Sequence, residues 1–230
     1  MGKAVAKKLA IKGIEVIIAD LNREAAALVC REITDNQGKA RDFYVNVADP
    51  LSVEKLFQQV NETGGLEMLI HTAAILGKTA FAQEVTDDQW QRMISVSLDG
   101  SFYCAREAVR LMSQSGGGRI VLFSSVASLT PTPGALPYSA AKGGVNMLGR
   151  TLAAEAAKMN IRVNVIAPGY IATPMLKDLP SGFEEYIIKK TPLKRLGKVE
   201  EIAALAAFMA SPEADFFTGQ ILSPNGGLVI

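Results

Sequence analysis

The 230-residue sequence contains one histidine, His71, and two cysteines, Cys30 and Cys104. A single imidazole leaves no partner for a histidine metal cluster, and a His-based triad is implausible. No metal site is expected, and His71 reads as a hydrogen-bonded structural residue rather than a catalytic one. The cysteines are isolated, with no CxxC or metal-ligand spacing, and the chain opens on a lysine-bearing helical pattern instead of a signal peptide. Both features point to a reducing cytoplasm. No apolar run approaches the ~20 residues needed to span a bilayer. Charge of one sign is also lacking: 24 basic against 23 acidic residues leave a net charge of +1. The signs are interspersed, so there is no electrostatic footprint for nucleic acid or an anionic membrane. A small neutral or locally anchored substrate fits better.

What the sequence does have is apolar content, 49% of the residues, enough to bury a sizeable core in one domain spanning 1–230. No linker, repeat or low-complexity tract interrupts it. Strand-like runs fall at Glu15 to Ala19, Ala40 to Val45, Leu66 to His71, Arg119 to Phe123, Arg162 to Ala167 and Gln220 to Ser223, with helical patterns between them. That alternation predicts an α/β fold, a doubly wound Rossmann-like parallel sheet with helices on both faces. From Asp87 to Gln114, Trp90, Ile94, Leu98, Phe102, Ala105, Val109 and Met112 recur at three- and four-residue steps, a helical stripe suited to packing on the sheet.

The most informative residues are Tyr138 and Lys142. Four residues apart on a helix, they share one face, which lets the ammonium lie near the phenol and favour the phenolate. An unperturbed tyrosine, with a pKa of about 10, is a poor base near neutral pH. Ser125 follows the run Arg119 to Phe123 and so sits at a strand's carboxyl end, where open α/β sheets bind ligands.

Ser125, Tyr138-Ser139-Ala140-Ala141-Lys142 and the strand Ile161 to Ala167 ending in Pro168-Gly169 together resemble the short-chain dehydrogenase/reductase family, in the branch of the 3-oxoacyl-carrier-protein reductases and related alcohol dehydrogenases. The resemblance covers almost the whole chain. It implies hydride transfer between NAD(H) and a carbonyl or secondary alcohol, of 3-oxoacyl type or related, with Ser125 bonding the substrate oxygen and Tyr138 carrying its proton. Lys142 would lower the tyrosine pKa and bind the nicotinamide ribose. Asp20, eighteen residues after Gly2, is placed to accept from the adenosine ribose hydroxyls and to repel a 2′-phosphate, favouring NAD over NADP; alternatively it caps the following helix. Asn46 and Val47 match an adenine-contacting pair, Ala73 lies beside the cofactor, and Ile171 and Thr173, after Pro168 and Gly169, match the segment that holds the nicotinamide carboxamide. The stretch Met175 to Ile188, with Leu176, Leu179, Phe183, Tyr186 and Ile187, reads either as a lid over an apolar substrate or as a short surface helix. Leu129, Ala135, Leu136 and Met175 would line the pocket. A homodimer or homotetramer is implied through the two long helices. The alternative is a catalytically weak nucleotide-binding protein with a regulatory or oligomeric role.

The chain departs from the family pattern in three places. His71-Thr72-Ala73-Ala74 stands where Asn-Asn-Ala-Gly is usual, so Ala74 replaces a glycine that lets the cofactor approach. Ser97 stands where an asparagine commonly holds a water near the lysine; it is either a weaker relay or a small helix residue. The family begins with a strand and a Thr-Gly-x-x-x-Gly-x-Gly turn, whereas this sequence starts Met1-Gly2-Lys3, aligning Gly2 with the last glycine. The domain is therefore expected to be N-terminally incomplete, with the family's first strand missing, two facing strand edges left unpaired and the pyrophosphate cradle reduced.

Overall fold

The computed structural model describes residues 1–174, 176 and 182–230. Met175 and Leu179, expected in the pocket wall and lid, lie outside the described residues. Among the described residues six strands form: β1 (Val16–Asp20), β2 (Ala40–Tyr44), β3 (Met68–His71), β4 (Gly118–Phe123), β5 (Ile161–Ile166) and β6 (Ile221–Leu222). All pairings are parallel, as βαβ crossovers require. The helices are α1 (Gly2–Ile11), α2 (Arg23–Thr34), α3 (Pro50–Glu62), α4 (Asp87–Ile94), α5 (Gly100–Gln114), α6 (Leu136–Ala156), α7 (Phe183–Lys190) and α8 (Val199–Met209).

The strands fall into two sheets, β1-β2 and β3-β4-β5-β6, with no ladder between β1 and β3. These are the two facing edges expected to be unpaired. Strand alternation sorts the core into two layers. Ile120 and Leu122 of β4, with Val163 and Val165 of β5, point to a layer shared with α3, α5 and α6; Val121, Phe123 and Ile166 point to the other, shared with α1, α2 and α8. Ile17 and Leu69 join the first layer, and Ile18 and Ile70 the second. Side-chain packing thus carries across the break that backbone bonding does not.

The stripe from Asp87 to Gln114 is not one regular helix. Thr86 opens α4 with a capping box to Gln89, and a π-helical segment, Ser95–Asp99, separates α4 from α5. Such insertions often mark functional sites. Here Gly100 lets the backbone close on Val47, since a Cβ would meet its Cγ2 at 2.9 Å.

Candidate active site

Ser125 lies just past the end of β4, where its hydroxyl caps a short turn, Val126–Ser128, by accepting from Ala127 N at 3.2 Å. Tyr138 and Lys142 stand in the first two turns of α6, which begins after the Pro131 to Gly134 loop with Pro137 at its start. Folding brings the Tyr138 hydroxyl close to the Ser125 side chain. Val126 N donates to Pro168 O at 2.8 Å, tying this turn to the segment after β5. Ser125, Tyr138, Lys142, Pro168 and Gly169 therefore converge at the carboxyl ends of β4 and β5.

Lys142 is only 2% exposed, and its Nζ donates to Phe123 O at 2.7 Å. Burial lowers its pKa to about 8. The ammonium sits over the Tyr138 ring, 5.9 Å from the centroid. The expected lowering of the Tyr138 pKa by Lys142 is not what this geometry gives. Burial raises the tyrosine, the nearby Ser125 side chain opposes that rise, and Tyr170 adds to it. The Phe123 carbonyl holds the ammonium instead.

A polar network that the sequence reading missed lies behind these groups. Ser124 Oγ lies 2.9 Å from Lys142 O and 3.0 Å from Ser128 Oγ. Ser128 donates to Ser125 O, and Asn146 Nδ2 donates to Ser128 Oγ at 2.8 Å. The turn bearing Ser125 is thus bonded to α6 from below. The available signal was Asn146 itself, four residues beyond Lys142 on the same helical face.

Ser97 is fully buried in the π segment, its Oγ 3.5 Å from both Met93 Sδ and Ile75 N. These long contacts anchor the loop after β3. His71, also buried, is not the hydrogen-bonded residue expected: its Nε2 has no partner. Burial, and then the charge of Lys142, lower its pKa to about 3, so the ring is neutral.

The remaining predicted residues lie along the ends of β1, β2 and β3 and the segment after β5. Asp20 ends β1, exposed, and its Oδ1 accepts from Asn22 N at 2.9 Å. The cap of α2 is Asn22, which accepts from Ala25 N; Asp20 is not the cap. Asn46 Oδ1 accepts from Ala48 N at 3.2 Å, while Val47 packs on Gly100. Ala73 is partly buried just past β3. Gly169 N donates to Pro224 O, and any Cβ there would meet Asn225 Cα at 2.8 Å, a close approach that requires glycine. Gly197 bonds Tyr170 O and Ala172 N, a strand-like bridge that turns the N–H and C=O of Ile171 to the opposite side. Thr173 O accepts from Leu176 N. In α7, Ile187 is buried, whereas Phe183 meets the Tyr170 ring edge-on at 5.6 Å and Tyr186 is half exposed. The pocket candidates Leu129 and Leu136 are exposed, and Ala135 bridges to Ala80.

These residues fit a nicotinamide dinucleotide. The α1 N-terminus has no side-chain cap and no acidic residue in its first turn, so its amide groups suit a pyrophosphate. Gly2 approaches Thr72 so closely that a Cβ would lie 2.8 Å from Oγ1. Next to Asp20, Leu21, Asn22, Arg23, Glu24 and Tyr44 line a cleft of about 430 Å³. Among the described residues no cluster of His, Cys, Asp and Glu could hold a metal ion, and no helix is long and apolar enough to cross a membrane.

The chain is similar to known proteins over its whole length. Residues 1–229 match a family model described as enoyl-(acyl carrier protein) reductase. The chain is 35% identical over 231 residues to the 3-oxoacyl-[acyl-carrier-protein] reductase of Thermotoga maritima, covering 100% of this chain and 94% of that protein. It is 37% identical over 228 residues to the 2-dehydro-3-deoxy-L-rhamnonate dehydrogenase (NAD(+)) of a Sphingomonas species, covering 99% and 90%. A gluconate 5-dehydrogenase from Burkholderia cenocepacia, solved with NADP and tartrate, superposes with a TM-score of 0.94 at 33% identity, covering 99% of this chain and 90% of that one.

Proposed function

Because the chain belongs to the short-chain dehydrogenase/reductase family, and is therefore an NAD(P)-dependent oxidoreductase, we propose that it interconverts a carbonyl and a secondary alcohol at Ser125, Tyr138 and Lys142, with NAD(H) preferred. The single observation that carries this reading is the buried Lys142 ammonium, held by Phe123 O and lying 5.9 Å from the Tyr138 ring centroid at the strand end that bears Ser125. The bound nicotinamide supplies or accepts the hydride. Ser125 holds the substrate oxygen, and Tyr138 gives or takes its proton. The nearby Ser125 side chain favours the phenolate, while Lys142, its ammonium over the Tyr138 ring, holds the phenol in place and donates to the nicotinamide ribose. Ile171, through its outward backbone groups, and Thr173 orient the ring, with Pro168 and Gly169 setting the turn. Gly2 and Ala73 flank the dinucleotide, Asn46 and Val47 flank the adenine, and Ser97 supports the loop after β3.

Asp20 supports NAD, since an exposed carboxylate beside the adenosine ribose repels a 2′-phosphate. The substrate class follows the apolar rim at Leu129, Ala135 and Leu136, which suits ketones of 3-oxoacyl or alicyclic type. Exposed Phe102 on α5 and Met147 on α6 support a homodimer or homotetramer.

The test is nicotinamide fluorescence on mixing with NADH, followed by a panel of ketones and secondary alcohols with parent and Tyr138→Phe. Turnover in the parent and its loss by at least about 10²-fold in the variant, with binding intact, is the expected result. Binding without turnover of any substrate would favour a regulatory nucleotide-binding protein. Retained kcat in Tyr138→Phe would overturn the mechanism.

A further inference from the structure

Lys142 and His71 present complementary deficits in the same buried space. An ammonium has three donors. The bond to Phe123 O uses one of them. His71 Nε2, buried, has no hydrogen-bond partner, and a neutral imidazole offers one nitrogen as an acceptor. Buried polar atoms are rarely left unpaired, and an exception calls for a functional reason.

The fold places the two groups together. His71 ends β3 and pairs in register with Leu122, one residue before the Phe123 carbonyl that holds the lysine. Leu69, two residues earlier, faces the layer formed with α5 and α6, and strand alternation turns His71 to that same layer. Lys142 enters it from α6. The two are close enough that the lysine's charge helps keep the imidazole neutral. Among the described residues, Lys142 is the one charged group that acts on His71 in this way.

Resting on the reading of Lys142 given above, we propose that His71 is a positioning residue: its neutral imidazole serves through Nε2 as an acceptor that keeps the Lys142 ammonium charged and oriented during turnover. The relation is reciprocal. A charged Lys142 keeps His71 unprotonated, and an unprotonated His71 favours the charged lysine. An acceptor at this place also accounts for a histidine where the family commonly has asparagine, because both side chains offer a lone pair to a buried donor.

The signs define the experiment. An acceptor raises the pKa of a buried lysine, so removing it lowers that pKa, and activity that needs the ammonium fails at a lower pH. His71→Leu should move the alkaline limb of the kcat profile toward acid by about one unit. That is a roughly fivefold loss at pH 8 with less than about twofold at pH 6.5. His71→Asn, which restores an acceptor, should return the limb to within about half a unit of the parent. A merely structural histidine would change stability in both variants and leave the limb in place, and that result would overturn the proposal.

If His71→Leu does not fold, the parent still decides it. His71 is the only histidine, so nitrogen-15 labelling gives a single imidazole. Its Nε2 resonance should shift in Lys142→Met; an unchanged resonance would refute the contact. Loss of turnover in Tyr138→Phe together with an unmoved pH limb in His71→Leu would remove this proposal alone. Retained turnover in Tyr138→Phe would remove the active-site reading beneath it.

Discussion

The half of the molecule built on β3 to β6 differs from the half built on β1 and β2 in the way each holds its polar groups. In the first, the last four residues of both β4 and β5 are buried, and Ser124, Ser128, Asn146 and Lys142 bond one another or the backbone under the active-site turn. In the second, β2 is largely exposed, as is the end of β1 that bears Asp20, and the ion pairs nearby, Arg41 with Glu15 and Lys3 and Lys7 with Glu32, lie in solvent. Proton and hydride transfer need reacting atoms held to a fraction of an ångström. Discrimination between nucleotides needs only a charge at the right edge, which acts over several ångströms and tolerates motion. The proposed chemistry therefore sits where packing is dense, and the proposed determinant of cofactor choice where side chains are free to change.

The sharpest way to break this contrast is Lys142→Met. Turnover should fall by about 10²–10⁴-fold with weaker nucleotide binding, since one ammonium serves both proposed roles. Stability should move the other way. The native pKa of about 8 lies below the ordinary lysine value of 10.5, so the unfolded chain binds the proton more readily. The resulting penalty is full below pH 8 and disappears as pH rises through 8 to 10.5. Thermal melts should show the variant above the parent at pH 7, with the gap closing near pH 10.5. A variant melting below the parent at pH 7 would mean that the Phe123 hydrogen bond outweighs the cost of burying the charge.

Gly149→Ala should have a smaller effect, confined to stability. An added methyl would collide with Val165 Cγ2, which is β-branched and almost fully buried, so neither partner can yield cheaply. Overpacking of this kind costs about 1–3 kcal/mol. Urea titration should show it, and an unchanged midpoint would mean that the four-stranded half is less tightly packed than the structure indicates.

How much of this was legible in the sequence follows from how local each feature is. Tyr138 and Lys142 announce themselves by helical spacing, and Ser125 by its place after a strand. The strands are legible from apolar runs. The Ser124–Ser128–Asn146 network is less so, because Asn146 reaches Ser128 across 18 positions once the turn packs on α6. Nor does an apolar stripe show the π segment at Ser95–Asp99, since one shifted turn preserves three- and four-residue steps. The orphaned Nε2 of His71 depends entirely on three-dimensional burial, which is why a histidine expected to be hydrogen-bonded is not.

The smallest expected effect on the fold belongs to Asp20, and it sharpens the comparison because its effect on specificity should be large. Its carboxylate is exposed and its Oδ1 takes only the Asn22 amide. Asn22, not Asp20, caps α2, so Asp20→Ala should leave the unfolding midpoint within about 0.5 kcal/mol of the parent, as for surface changes generally. Arg23, in the adjoining cleft with its guanidinium 5.2 Å from the Tyr44 ring centroid, remains as a cation able to meet a 2′-phosphate. With the carboxylate gone, NADPH loses its repulsion and NADH loses a ribose acceptor. The ratio of their dissociation constants should therefore narrow by about tenfold or more, equivalent to about 1.4 kcal/mol. Fluorescence titration of both nucleotides against parent and variant measures it directly. Equal affinities in the parent would show that Asp20 plays no part in selection, and an unchanged ratio in Asp20→Ala would move the determinant to Arg23 and the cleft beside it.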